Sequence, residues 1–218
     1  DDAAHRVRCK LWNSIDHDTA IPMGEAKPPA VIGETVLEVD CMQKYYEVRD
    51  TSMAAIFSGD NVRNIKANEE ITFRAGRGET IAIVGESGCG KSTFAKVLMG
   101  LEQATSGEVR MGGVDIGSLA VQDRTPGQLG SLQMVFQNPN DTLNPSLTIG
   151  AQIGRVIKKF GVETDPVKIQ ERVLQLLDVV KLPRDFAIRK PRQLSGGQKQ
   201  RIGIARAFAG NPAMVIAD

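Results

Sequence analysis

The chain has 218 residues, 41% of them hydrophobic and 24% charged, the balance of an ordinary globular protein with enough length for a sizeable core. A formal net charge of +1 argues against nucleic acid or an anionic lipid surface held by bulk charge. No apolar run approaches the roughly 20 residues that span a bilayer, no signal peptide opens the chain, and the 3 scattered cysteines make no disulfide framework.

In chain order, residues 1–33 show little periodicity, and "AIPMGEAKPPAVIG" reads as a linker rich in proline and glycine. "ETVLEVD" begins an alternating, β-branched segment, the expected first strand of the main domain. "RDTSMAAIFSGDNVRN" is polar and irregular and reads as a surface loop. "EITFRAGRGETIAIVG" predicts a strand, a turn at Gly76 to Gly78, and a buried strand at Thr80–Val84. A helix is expected from about Lys91 to Met99, stopping at Gly100. "SGEVRMGGVDI" predicts short strands on either side of Gly112–Gly113, and "SLQMVFQNP" a further strand.

Helical spacing then takes over from about Leu147 to Lys181. Ile169, Val173, Leu176 and Val180 recur at three and four residues and give Pro166–Lys181 one apolar face. Another helix is expected from about Gly197 to Phe208, and Ala213–Ala217 reads as a buried strand. Strands alternating with helices argue for an α/β core with a parallel sheet, the helical block being an insert between core strands. Asp1 is not a start residue and Asp218 directly follows an apolar run, so a fragment is expected.

The most informative stretch is "GESGCGKST", Gly85 to Thr93, which fits G-x-x-x-x-G-K-[ST] without a departure. Gly85, Gly88 and Gly90 let successive backbone N–H groups turn inward around phosphate oxygens. The helix that follows offers its positive end. In this reading Lys91 reaches the β- and γ-phosphates and Ser92 holds Mg²⁺, while Glu86, Ser87, Cys89 and Thr93 complete the loop. Cys89 reads as a small spacer, the alternative being a thiolate activated by the helix N-terminus.

Further stretches narrow the class. "QMVFQNP" places Gln137 after a strand, "LSGGQ" spans Leu194 to Gln198, and "AMVIAD" is an apolar strand ending in Asp218. Their order and spacing, over about residues 35–218, resemble the ATP-binding subunit of ABC transporters. "VFQNPNDTLNPSLTIG", "GESGCGKST" and "LEVDCMQKYYEV" are similar to its dipeptide, oligopeptide and nickel importer branch. "HRVRCKLW", His5 to Trp12, resembles the end of the C-terminal extension of that branch, which implies a parent protein with fused ATP-binding domains.

The resemblance implies a P-loop NTPase core with an N-terminal antiparallel β portion, a helical subdomain at about 139–196 within a domain at 34–218, and a C-terminally incomplete fold. It implies ATP and Mg²⁺ as cofactors. Tyr46, or its neighbour Tyr45, would stack on adenine. Gln137 would touch Mg²⁺ or the attacking water, and Asp218 would bind Mg²⁺. Lys91, Gln137 and Asp218 would thus serve catalysis, with Ser92, Gln137 and Asp218 toward the metal. Ser195, Gly196, Gly197 and Gln198 would close over the ATP of a second ATP-binding domain. Lys199 and Arg201 read as solvated or phosphate-attracting charges of the following helix.

The implied role is ATP hydrolysis coupled to import of peptides or a related small solute, at the cytoplasmic face of the membrane. The implied partners are permease subunits and, indirectly, an extracytoplasmic solute-binding protein. A soluble non-transport ABC ATPase and a nucleotide-binding regulator are the alternatives. The family's glutamate after Asp218 and its later histidine do not occur in this sequence, so the isolated chain is expected to bind ATP, hydrolyse it poorly and be poorly soluble. Cys9 lies where some members carry a clustered-cysteine metal site, and reads here as a free thiol.

Overall fold

The computed structural model describes residues 32–49, 62–138 and 142–218, which belong to one compact unit. The linker, the segment around Cys9 and most of the loop expected at 49–64 lie outside the described residues, as do 139–141 in the stretch after Gln137.

The first layer is a four-stranded antiparallel sheet in the order β2-β1-β3-β4. Its strands are β1 (Thr35–Arg49), β2 (Val62–Gly76), β3 (Ser106–Met111) and β4 (Val114–Asp115). Leu37, Val39 and Met42 of β1 and Val109 of β3 are buried. On the solvent face, Glu38 pairs with Arg74 at 3.0 Å across β1 and β2. That exposed pair contributes little to stability. At Cys41 the register of β1 shifts and φ reaches 46°, a bulge that presses its carbonyl against β3. A Cβ on Gly107 would stand 2.2 Å from the Cys41 carbonyl oxygen, so glycine is required there.

β2 ends in the anticipated turn, where Glu79 Oε2 accepts from the Gly76 amide at 2.8 Å. α1 (Lys91–Leu98) follows the phosphate loop and stops as expected, with Gly100 at φ 72°. α2 (Pro126–Ser131), which was not anticipated, is set by a capping box between Thr125 and Gln128, a T-x-x-Q start signal present in the sequence. It delivers the chain into β5 (Leu132–Val135), which pairs in parallel with β6 (Met214–Ala217). Phe94, Val97 and Leu98 of α1 share one buried cluster with β1, β3 and Leu132, and Met214 and Ile216 of β6 pack against it.

The second core is helical. α3 (Ile149–Lys159), α4 (Pro166–Val179) and α5 (Gly196–Phe208) bury one cluster among themselves. Ile149, Ile153 and Ile157 recur every four residues along α3 and are fully buried. The stripe on α4 behaves as its spacing predicted: Val173, Leu176 and Val180 are buried and Ile169 packs against them. Asp165 caps α4, its Oδ1 accepting from the Val167 and Lys168 amides at 2.7 and 3.3 Å. Asp165→Ala is expected to lower stability by about 1 kcal/mol, read as a shift of the urea midpoint at constant slope.

The expected buried strand at Thr80–Val84 is not found. The segment joins no sheet, with Ile83 50% and Val84 90% exposed. The apolar composition was read correctly and its environment was not. A buried strand needs hydrogen-bonding neighbours, and among the described residues none lies beside 80–84. β6, also expected to be buried, is only half-buried for the same reason: among the described residues β5 flanks it on one side alone.

Candidate functional site

Gly85 to Thr93 wraps around the ammonium group of its own lysine. Lys91 Nζ donates to the Gly85 and Glu86 carbonyls at 2.7 and 2.6 Å and contacts Cys89 Sγ at 3.6 Å. The Cys89 amide closes a turn onto the Glu86 carbonyl at 3.3 Å, and Ser87 and Gly88 form its exposed tip. Gly88 takes φ 84°, and an added Cβ there would meet nothing within 4 Å. Room is therefore not what requires glycine at 88; the left-handed backbone is. A Cβ at Gly85 would instead meet Cys89 Sγ at 2.6 Å, so the thiol packs against the loop's first glycine. Gly90 takes φ 95° as the N-cap of α1 and supplies no side-chain cap. The first amides of the helix are therefore left for an outside acceptor, and that acceptor is most stable as an anion. Ser92 is exposed and Thr93 half-buried at this end of α1.

Parallel pairing of β5 and β6 brings two further predicted residues to one edge. The Asp218 amide donates to the Val135 carbonyl at 3.1 Å, so Asp218 leaves β6 where Phe136 and Gln137 leave β5. Gln137 and Asp218 are both exposed. A Mg²⁺ ion takes oxygen donors, and the Asp218 carboxylate, the Gln137 amide oxygen and the Ser92 hydroxyl fit that chemistry. An ATP phosphate fits the uncapped helix start and the lysine that already gathers carbonyl oxygens.

Ser195 caps α5 through a complete capping box. Its Oγ accepts from the Gln198 amide at 3.3 Å, and Gln198 Oε1 accepts from the Ser195 amide at 2.8 Å. Gly196 and Gly197 face open space, where an added Cβ would meet nothing within 4 Å. Packing among the described residues thus does not account for either glycine.

α5 also holds the segment that carries Gln137. Gln200 Nε2 donates to the Phe136 carbonyl at 3.2 Å, and the guanidinium of Arg206, half-buried, donates to the Thr142 carbonyl. Burial pushes the Arg206 pKa down from its ordinary value. Neither residue was singled out by sequence reasoning, since a glutamine and an arginine on a helix read as surface side chains. Lys199 and Arg201 were, and Arg201 donates to the Lys181 carbonyl at 3.2 Å.

The two tyrosines sit in different surroundings. Tyr45 donates from its hydroxyl to Glu69 Oε1 at 3.3 Å, and Lys66 Nζ lies 5.5 Å from its ring centre. Burial and the adjacent Glu69 carboxylate raise its pKa. Tyr46 has Lys44 Nζ 4.9 Å from its ring centre, and that ammonium pairs with Glu102 at 3.1 Å. Cation–π contact gives each ring a charged neighbour without making either one a core residue.

Comparison with known proteins follows the same lines. The pattern of the ABC transporter family matches residues 68–218. The probable peptide ABC transporter ATP-binding protein y4tS of Sinorhizobium fredii is 39% identical over 86% of this chain and 51% of its own length. The oligopeptide transport ATP-binding protein AppF of Bacillus subtilis is 39% identical over 85% of this chain and 54% of its own. The nickel import ATP-binding protein NikE of Brucella abortus is 43% identical over 68% of this chain and 55% of its own. The chain thus spans about half the length of the curated relatives it matches. Among solved structures, the ATP-binding cassette MJ0796, a dimer in a post-hydrolysis state bound to ADP and Pi, superposes with a TM-score of 0.68 at 31% identity, over 84% of this chain and 73% of that one. With an α/β cassette fold, a complete phosphate loop and these relatives, the chain belongs to the ABC transporter family.

Proposed function

We propose that this chain is the ATP-binding, energy-coupling part of an ABC importer for peptides or a related small solute such as nickel. The observation that carries the reading is the loop at 85–93, an uncapped helix N-terminus with Lys91 folded into it, in a member of this family. The relatives named for peptide and nickel transport favour the importer class over a soluble ATPase.

In this reading Lys91 leaves the Gly85 and Glu86 carbonyls for the β- and γ-phosphates when ATP enters, and the backbone from Gly85 through Gly88 to Gly90 curves around them. Ser92, Gln137 and Asp218 hold Mg²⁺, which neutralises phosphate charge and fixes its geometry. Tyr46 stacks on the adenine, with Tyr45 as the alternative. Ser195, Gly196, Gly197 and Gln198 meet the ATP of a second ATP-binding domain. The open space beside both glycines supports a partner that approaches from outside the chain. The domain comprises residues 34–218, with a helical subdomain at about 139–196 that faces integral membrane subunits. No helix among the described residues is long and apolar enough to cross a membrane; in the importer reading the chain is a peripheral subunit docked on the cytoplasmic face. A solute-binding protein outside the membrane would select the cargo.

The test is capture of the tagged chain from detergent-solubilised native membranes. Recovery of integral membrane subunits, lost on a high-pH wash of the membranes before solubilisation, supports the importer reading. ATP binding with no membrane subunit recovered favours the soluble ATPase instead.

A further inference from the structure

Asn68 of β2 is used by none of the roles above. Its side chain is 7% exposed and lies against the phosphate loop, where Nδ2 donates to the Gly90 carbonyl at 3.1 Å. The approach is close, since a Cβ on Gly90 would stand 2.0 Å from the Ala67 carbonyl oxygen.

The Gly90 carbonyl does not need this bond. It already accepts from the Phe94 amide at 2.9 Å in the first turn of α1. The other end of the asparagine is worse placed: Oδ1 is buried and has no hydrogen-bond partner among the described residues. A buried acceptor left unpaired is destabilising, and an apolar side chain of the same shape would avoid it. Stability alone therefore does not explain an asparagine here.

Peptide geometry supplies the explanation. The 90–91 peptide is trans and planar, so its C=O and N–H point in opposite directions. The Phe94 amide already sets the Gly90 carbonyl along α1, and the second bond from Asn68 on β2 restrains the remaining tilt of that peptide, and with it the direction in which the Lys91 amide leaves the helix start. That amide belongs to the uncapped set at the N-terminus of α1. We propose that Asn68 is a positioning residue for the phosphate loop, fixing the Gly90–Lys91 peptide so that the Lys91 amide is oriented toward a bound phosphate before nucleotide arrives. The proposal rests on the reading of residues 85–93 as an ATP site.

Asn68→Leu keeps the shape and Asn68→Val suits a strand, so one reports if the other packs badly. Both are to be measured in the full chain beside the unsubstituted protein and Lys91→Ala. The readouts are the dissociation constant of Mg·ATP and the melting temperature without nucleotide. We expect both variants to melt at or above the unsubstituted protein and to bind ATP about three- to tenfold more weakly. In the Mg·ATP complex, protection of the Lys91 amide from hydrogen exchange is expected to fall in both variants, while the amides of Phe94 to Leu98 keep theirs. Unchanged ATP affinity in both variants overturns the proposal. So does a loss of affinity that comes only with a lower melting temperature in both, which would assign Asn68 to packing. If the unsubstituted chain does not bind ATP, or Lys91→Ala binds as well, the underlying ATP-site reading fails first and the proposal with it.

Discussion

Lys91→Ala is expected to weaken Mg·ATP binding by more than about a hundredfold while leaving the melting temperature nearly unchanged. The two parts of this expectation come from different contacts. The Lys91 ammonium touches loop carbonyls and the Cys89 sulfur, and no core residue depends on it. Those carbonyls are on an exposed loop, where water replaces the lost donor at little cost. Toward a triphosphate the position is different. The lysine charge sits beside the positive end of α1, and charge-assisted bonds to phosphate are about twice as strong as neutral ones. Removing it leaves only backbone amides to face a polyanion. Titration calorimetry with Mg·ATP, together with a melt of the free chain, checks both parts. Binding within about threefold of the unsubstituted chain would refute the assignment of Lys91.

Arg124→Ala is expected to be the most destabilising of these substitutions, by about 3 kcal/mol. The guanidinium is 6% exposed and, among the described residues, faces no carboxylate within ion-pair distance. Its two terminal nitrogens donate instead to the Leu98 carbonyl at 2.6 Å, the Val97 carbonyl at 3.3 Å and the Ile116 carbonyl at 2.7 Å, while the buried Nε has no partner among the described residues. Burial pushes its pKa down, although the Asp115 carboxylate pulls the other way. The guanidinium is thus a cation that closes the C-terminal end of α1 and ties it to the segment after β4. Such an end carries unsatisfied carbonyls and a partial negative charge. Truncation leaves a cavity beside Gly100 and strands the Leu98 and Ile116 carbonyls in the interior. Chemical denaturation monitored by circular dichroism gives the cost. A loss below about 1 kcal/mol would show that water or a side-chain shift satisfies those carbonyls.

These two residues also show what the sequence displayed and what it concealed. Lys91 sits in a motif whose spacing is its chemistry, so the loop, its helix and the place of the lysine between them were readable together. The glycines of that motif were readable as a set, but not their separate reasons: backbone conformation at Gly88, the Cys89 sulfur at Gly85 and the Ala67 carbonyl at Gly90. The α4 stripe was legible because Val173, Leu176 and Val180 carry their burial in their spacing. Arg124 and Asn68 had no such signal. Each is a polar residue whose partners are backbone carbonyls brought close by the fold, and those carbonyls belong to every residue type alike. The Thr80–Val84 segment failed in the opposite sense. Its composition announced a core strand, but composition reports what a segment would gain from neighbours and not whether neighbours are there. Gln137 and Asp218 were legible singly. Their meeting at one edge was not, because it depends on the parallel register of β5 with β6.

The bonds from Gln200 and Arg206 bear on how force is carried. Both donors stand on the helix that begins with Gly196, and both acceptors, the Phe136 and Thr142 carbonyls, flank the segment that bears Gln137. Two attachment points along one rod resist torque as well as tension. Rolling or sliding of the rod strains both bonds, and the Arg206 bond is the costlier to lose because burial has already desolvated its charge. A displacement of the Phe136 or Thr142 carbonyl is therefore felt by α5 at two points, Gln200 in its first half and Arg206 near its far end.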